Sequence, residues 1–268
     1  MIVSILLTIV FVFIGLFVYI NNPKSWTNRY YASVALFGSI WIMSNALSLS
    51  TNNEISIFFA RFITPASVMS CLFFYLLASV FPEVTTNKRR SILASIPAVI
   101  ITLLSWTSLN FSTIVRDGKV EFTFGALYWP YIVTMVAYMV AGLILLVRRR
   151  HRATGVRKMQ LQFVIYGFAL TIVPPVIIGA MLPALRIDSL SDASPFFVVF
   201  LMSFTGYSII RHRLFDIRSV VSRSVAYLFS VLSFAFVYGF LAYGVAQNFL
   251  LKTILTTERS QQIFNIIL

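Results

Sequence analysis

Residues 127–147 read LYWPYIVTMVAYMVAGLILLV, and basic residues crowd in directly behind them as Arg148, Arg149, Arg150, His151 and Arg152. No Asp, Glu, Lys, Arg or His interrupts this run. At about 1.5 Å per residue it spans roughly 30 Å, the thickness of a bilayer's hydrocarbon core. A helix on the surface of a soluble domain would carry a polar stripe opposite its apolar one, and this run has none. The cations at its end mark the flank that stays in the cytoplasm. The stretch is a transmembrane helix, and it sets the pattern for the rest of the chain.

Similar runs recur on both sides of it: Ile2–Ile20, Tyr31–Leu49, Phe58–Phe81, Ser91–Asn110, Gln160–Leu182, Pro195–Ile210 and Val225–Leu251. Composition agrees: the 268 residues are 59% hydrophobic and 11% charged, and the mean hydropathy is +0.89. A soluble domain carries about 25% charged residues. The first run has no basic residues before it and no small-residue cleavage site, so it reads as an uncleaved helix rather than a signal peptide. The turn Asn21-Asn22-Pro23-Lys24 ends it.

Orientation follows from counting Lys and Arg in alternate connections. One set holds Lys24, Arg29, Lys88, Arg89, Arg90, Arg148, Arg149, Arg150, Arg152, Arg157, Lys158, Arg211, Arg213, Arg218 and Arg223, and the other only Arg61, Arg116, Lys119, Arg186, Lys252 and Arg259. The bias of 15 to 6 places the first set in the cytoplasm and the N-terminus outside. The reading is therefore an all-α integral membrane helical bundle of about eight transmembrane helices, multi-pass in the cell membrane. The net charge of +13 is explained by loop cations that orient the chain and meet anionic inner-leaflet headgroups, without nucleic acid as a partner. Outside, Val115-Arg116-Asp117-Gly118-Lys119-Val120 centres an Asp-Gly turn between β-formers and reads as a small hairpin, a connector rather than a ligand-binding element. The terminal Ile263–Leu268 is a fresh apolar run too short to span a bilayer; it is expected to be either a short interfacial tail or, the favoured reading, the start of a ninth helix in a longer protein.

No arrangement of catalytic groups emerges. His151 and His212 lie among arginines without metal-ligand spacing, and no metal site or cofactor is expected. Walker, dinucleotide and nucleophile-elbow motifs are missing. The helix interiors hold almost no ionisable residues, Arg61 being near a helix end where it can snorkel. That argues against a proton-coupled transporter or an intramembrane protease, and no mid-helix lysine is available for a retinal Schiff base. Cys71 is a small packing residue. The candidates for a ligand pocket or a kink are neutral: Asn45 in the second run, whose plain reading is an interhelical hydrogen bond, and Pro174 and Pro175 in the middle of the sixth, which should kink it. Tyr75, Tyr131, Tyr138 and Tyr166 could line a cavity, though packing is the favoured reading for each. Trp26, Trp41, Trp106 and Trp129 read mostly as interfacial anchors.

The most distinctive stretch is cytoplasmic. Ile209-Ile210-Arg211-His212-Arg213-Leu214-Phe215-Asp216-Ile217-Arg218, followed by Val220-Val221-Ser222-Arg223-Ser224-Val225-Ala226-Tyr227, resembles the end of the seven-helix N-terminal sensor region of bacterial histidine kinases. The resemblance covers residues 1–224 in topology and specific residues in 207–224. It implies a seven-helix sensor region over 1–210 and a basic linker over 211–224; the apolar runs add an eighth helix over 225–251 and an outer loop with the expected start of a ninth over 252–268. It further implies a signal passed through Arg211, Arg213, Leu214, Phe215, Asp216 and Arg218, a homodimer, a downstream kinase domain and a response regulator. The family's phosphoacceptor helix and ATP-binding boxes have no counterpart here, and His212 lacks the acidic neighbour a phosphoacceptor would have. The competing readings are a membrane carrier or channel, and a plain membrane anchor.

Overall fold

In the computed structural model the described residues are 2–48, 53–81, 88–116, 119–176, 200 and 204. They form six principal helices and one hairpin: α1 Ile2–Asn21, α2 Trp26–Ser48, α3 Asn53–Val80, α4 Lys88–Leu104, β1 Phe111–Arg116, β2 Lys119–Phe124, α5 Tyr128–Arg152 and α6 Gly155–Val176. By length and composition α2, α3 and α5 can each cross a membrane, and Ser4–Ile20 within α1 is a shorter apolar stretch. The expected runs at Pro195–Ile210 and Val225–Leu251 lie outside the described residues, apart from Phe200 and Phe204.

The helices outrun the apolar segments at their starts. Helix α2 begins at Trp26 rather than Tyr31, α3 at Asn53 rather than Phe58, and α6 at Gly155 rather than Gln160. Apolarity marks the part of a helix that sits in hydrocarbon, while backbone hydrogen bonding continues through polar turns beyond it. Arg61 consequently lies two turns inside α3, exposed, rather than at its end. With 28 residues, α3 is roughly 42 Å long against a core of about 30 Å, so Arg61 can still reach the interface. The fourth run ends early: α4 stops at Leu104, and Ser105–Asn110 forms turns instead of helix. There Ser105 Oγ donates to the Thr102 carbonyl and Thr107 Oγ1 to that of Leu104. Such side-chain bonds offer the backbone an alternative to continued helix.

Helix α3 is the hub, packing against α2, α4, α5 and β2, while α1 lies on α2 and α6 on α5. One face of α1, made of Leu7, Val10, Phe11, Ile14 and Val18, is buried, and the opposite face of Leu6, Ile9, Phe13, Leu16 and Ile20 is exposed. Both are apolar, as a helix between a protein neighbour and lipid must be. The α1–α2 approach is close: a Cβ at Gly15 would come within 2.7 Å of the Ala35 Cβ. Asn28, almost fully buried, donates from Nδ2 to the Val18 carbonyl at 2.9 Å and so holds the start of α2 on the end of α1.

The hairpin expected around Asp-Gly is present. Strands β1 and β2 pair antiparallel from Phe111 with Phe124 to Arg116 with Lys119, leaving Asp117 and Gly118 between them. Its base is fixed by the Gly125 amide on the Asn110 carbonyl at 2.8 Å and the Leu127 amide on that of Leu109 at 2.9 Å. A Cβ at Gly125 would lie 2.2 Å from the Leu109 oxygen, so only glycine fits this return of the chain.

Candidate functional site

Two constellations stand out in an otherwise apolar bundle, at opposite ends of the α3–α5 contact. Near the hairpin, α3 presents Thr64 and Ser67 one turn apart. Thr64 Oγ1 donates to Asn110 Oδ1 at 3.1 Å, and Asn110 Nδ2 donates to the Ser105 carbonyl at 3.2 Å. The Ser67 hydroxyl meets the Tyr131 hydroxyl of α5 at 2.9 Å. Farther along, the Tyr138 hydroxyl donates to the Ala94 carbonyl of α4, and its ring lies 6.0 Å from that of Tyr75. Interhelical bonds of this kind contribute about 0.6 kcal/mol each, up to 1–2, so this network fixes register more than it supplies stability.

At the other end, where α5 runs into its arginines, the seam is aromatic and closes on a charge. Phe74, Ala78 and Phe81 of the α3 segment, Leu146 of α5, and Leu161, Val164 and Phe168 of α6 form one buried cluster with Val34. The positions recur three or four apart on each helix, which puts them on one face. Phe74 and Phe168 stack in parallel, with ring centres 3.9 Å apart. Gly142 of α5 lets them meet: a Cβ there would come within 2.8 Å of the Phe74 ring.

Arg149 lies two turns farther along α5. One guanidinium nitrogen donates to the Phe81 carbonyl and the other to the Ser79 carbonyl. Helix α3 ends at Val80, so its final carbonyls have no donors from their own helix. A cation there meets the negative end of the helix dipole as well as two acceptors. Hydrogen bonds with a charged partner contribute about 1.5–3 kcal/mol each. By contrast Arg148, His151, Arg152, Arg157 and Lys158 are exposed.

The residues picked from sequence fall unevenly. Asn45 is half-buried, and its Nδ2 donates to the Trp41 carbonyl of its own helix at 3.0 Å. Pro174 and Pro175 are among the last three residues of α6 as described, which places them beyond the Phe74–Phe168 stack; the rest of their expected span, 177–182, lies outside the described residues. So do Arg211, Arg213, Leu214, Phe215, Asp216 and Arg218. Of the four tyrosines, Tyr131 and Tyr138 join helices, Tyr75 packs on Tyr138, and Tyr166 is exposed. Trp26, Trp106 and Trp129 are exposed near helix ends, with the Arg29 guanidinium 5.0 Å from the Trp26 ring centre. Among the described residues, no three His, Cys, Asp or Glu side chains come together as a metal site.

Asn110, Thr64, Ser67, Phe74, Gly142, Phe168 and Arg149 were not singled out from sequence. Their helical spacing was available as a signal, but every run in this chain has apolar residues at such spacings. In comparison with known families, the model of the N-terminal 7TM region of histidine kinase aligns with residues 3–218. Neither curated proteins nor solved structures match the chain.

Proposed function

The chain belongs to the family of N-terminal 7TM regions of histidine kinases, and from that membership we propose that it is the sensing half of a two-component signalling protein in the cell membrane. The observation that carries the reading is the extent of the match, which runs through six described helices and ends at Arg218, inside the basic linker 207–224. In this reading eight helices cross the bilayer with the N-terminus outside, as the distribution of Lys and Arg supports. A signal reaching the bundle shifts helix packing, and the linker residues Arg211, Arg213, Leu214, Phe215, Asp216 and Arg218 carry the shift to a cytoplasmic kinase domain. That domain, a response regulator and a second copy of the protein are its partners.

Packing supports the route. The α3–α5–α6 seam lies at the basic end of α5, which this topology puts in the cytoplasm, and α6 continues from it to Pro174 and Pro175. A proline pair deprives a helix of backbone hydrogen bonds, and such a weak point lets two packings interconvert. The test uses the full-length protein in membranes. Substituting both prolines by alanine should alter autophosphorylation while insertion stays intact. Unchanged output would remove the prolines from the mechanism. Unchanged regulated output after replacing residues 1–210 with unrelated helices would reduce the bundle to an anchor.

A further inference from the structure

Arg149 does something Arg148 and Arg152 do not. A residue that only orients a membrane helix needs to place its charge in water or among headgroups, as Arg148 and Arg152 do on the exposed surface of the same helix end. Arg149 instead turns inward and puts both arms of its guanidinium on two carbonyls at the end of α3, that of Ser79 in its last turn and that of Phe81 just past it. The residues it closes over are packed: Val80 is fully buried, and Phe81 is 5% exposed. We propose that Arg149 is a positioning residue, a clamp that sets α3 against α5 and whose release or retention is the step by which the bundle changes state.

Geometry makes the clamp two-valued. A guanidinium is a rigid planar fork, so a slide or rotation of α3 by a fraction of a turn breaks both bonds together. The Phe74 ring lies against the backbone at Gly142, so α3 and α5 cannot slide smoothly past each other there. Close-packed helices of this kind hold one arrangement or jump to another. The Phe74–Phe168 stack ties α6 to the same movement, and α6 leads to Pro174 and Pro175. A change at the hairpin end of α3, where Thr64 and Ser67 engage Asn110 and Tyr131, therefore reaches α6 through α3 and one clamp. The regulatory part of the proposal rests on the sensor reading above; the clamp itself does not.

The experiment separates the two. In the full-length protein in membranes, Cys71 and any other native cysteine are replaced by alanine and Val80 by cysteine, so that N-ethylmaleimide reports the opening of the α3 end. Ala78→Cys, 1% exposed in the parent, serves as a second probe should Val80→Cys insert poorly. Arg149→Lys keeps the positive charge but loses the fork, and Arg149→Gln loses both. Labelling should be slow with Arg149 and about tenfold faster or more in both variants, the scale of change for losing charge-assisted bonds. Kinase output at equal amounts of inserted protein should shift in both as well. If lysine behaves as arginine in both readouts, Arg149 is an orientation charge and the clamp is overturned. Faster labelling with unchanged output keeps the clamp and overturns its regulatory role. If the Arg149 parent shows no phosphorylation at all, the sensor-kinase reading falls, and the labelling still decides the clamp.

Discussion

Replacing Gly142 by alanine sets two opposed effects against each other, and the structure says which prevails. Within a helix the change from glycine to alanine is favourable by about 1 kcal/mol, because the unfolded chain has less freedom to lose. Against this, the new Cβ would lie 2.8 Å from Cε1 and 3.1 Å from Cδ1 of Phe74. That ring cannot swing aside easily, being 4% exposed and stacked 3.9 Å from Phe168. Overpacking of this kind costs about 1–3 kcal/mol, so the net result is a loss of about 1 kcal/mol. Gly38 of α2 supplies the internal control: its Cβ would meet Phe11 at 3.4 and 3.5 Å, close to ordinary contact. Gly38→Ala should therefore stabilise by up to about 1 kcal/mol, separating the two variants by about 2 kcal/mol. The assay is unfolding of purified protein in bicelles by SDS titration, followed by far-UV circular dichroism. Equal stabilisation in both variants would mean that α5 does not approach α3 at Phe74 as described.

Phe168→Ala should be the costlier lesion of the same seam, destabilising by about 3–5 kcal/mol in that titration, because it removes a fully buried ring together with its stack on Phe74. Asn28→Ala should cost about 1–3 kcal/mol by stranding the Val18 carbonyl at the α1–α2 junction, and trypsin sensitivity at Lys24 and Arg29 should rise with it. A double-mutant cycle of Ser67→Ala with Tyr131→Phe should give a coupling of about 0.6 kcal/mol, and no more than about 2. A coupling near zero would show that the two hydroxyls do not meet.

The membrane class and the existence of each described helix were legible in the residue pattern, because bilayer thickness converts directly into a length of apolar chain. Residues 127–147 needed nothing else. The hairpin was legible too, since Asp117-Gly118 between β-formers allows few other turns. Helix ends were less so, because the hydropathy of Trp26 to Tyr30 or Asn53 to Ile57 reports where lipid ends, not where hydrogen bonding does. The linker over 209–218 pointed to the histidine-kinase family from its own residues, and the match over 3–218 agrees.

Choice of partner belonged to the fold. Asn45 was the obvious polar candidate, yet its amide is taken by its own helix, while Thr64, Ser67 and Asn110, no more conspicuous in sequence, meet across helices. Arg149 sits in a row of four basic neighbours and counts like them toward orientation; its position on α5 relative to the end of α3 is what turns it inward. In a bilayer every face of a helix is apolar, whether it meets lipid or protein. Hydrophobic pattern therefore selects the environment without selecting neighbours, and steric fit at Gly142 together with unpaired carbonyls at the end of α3 selects them instead.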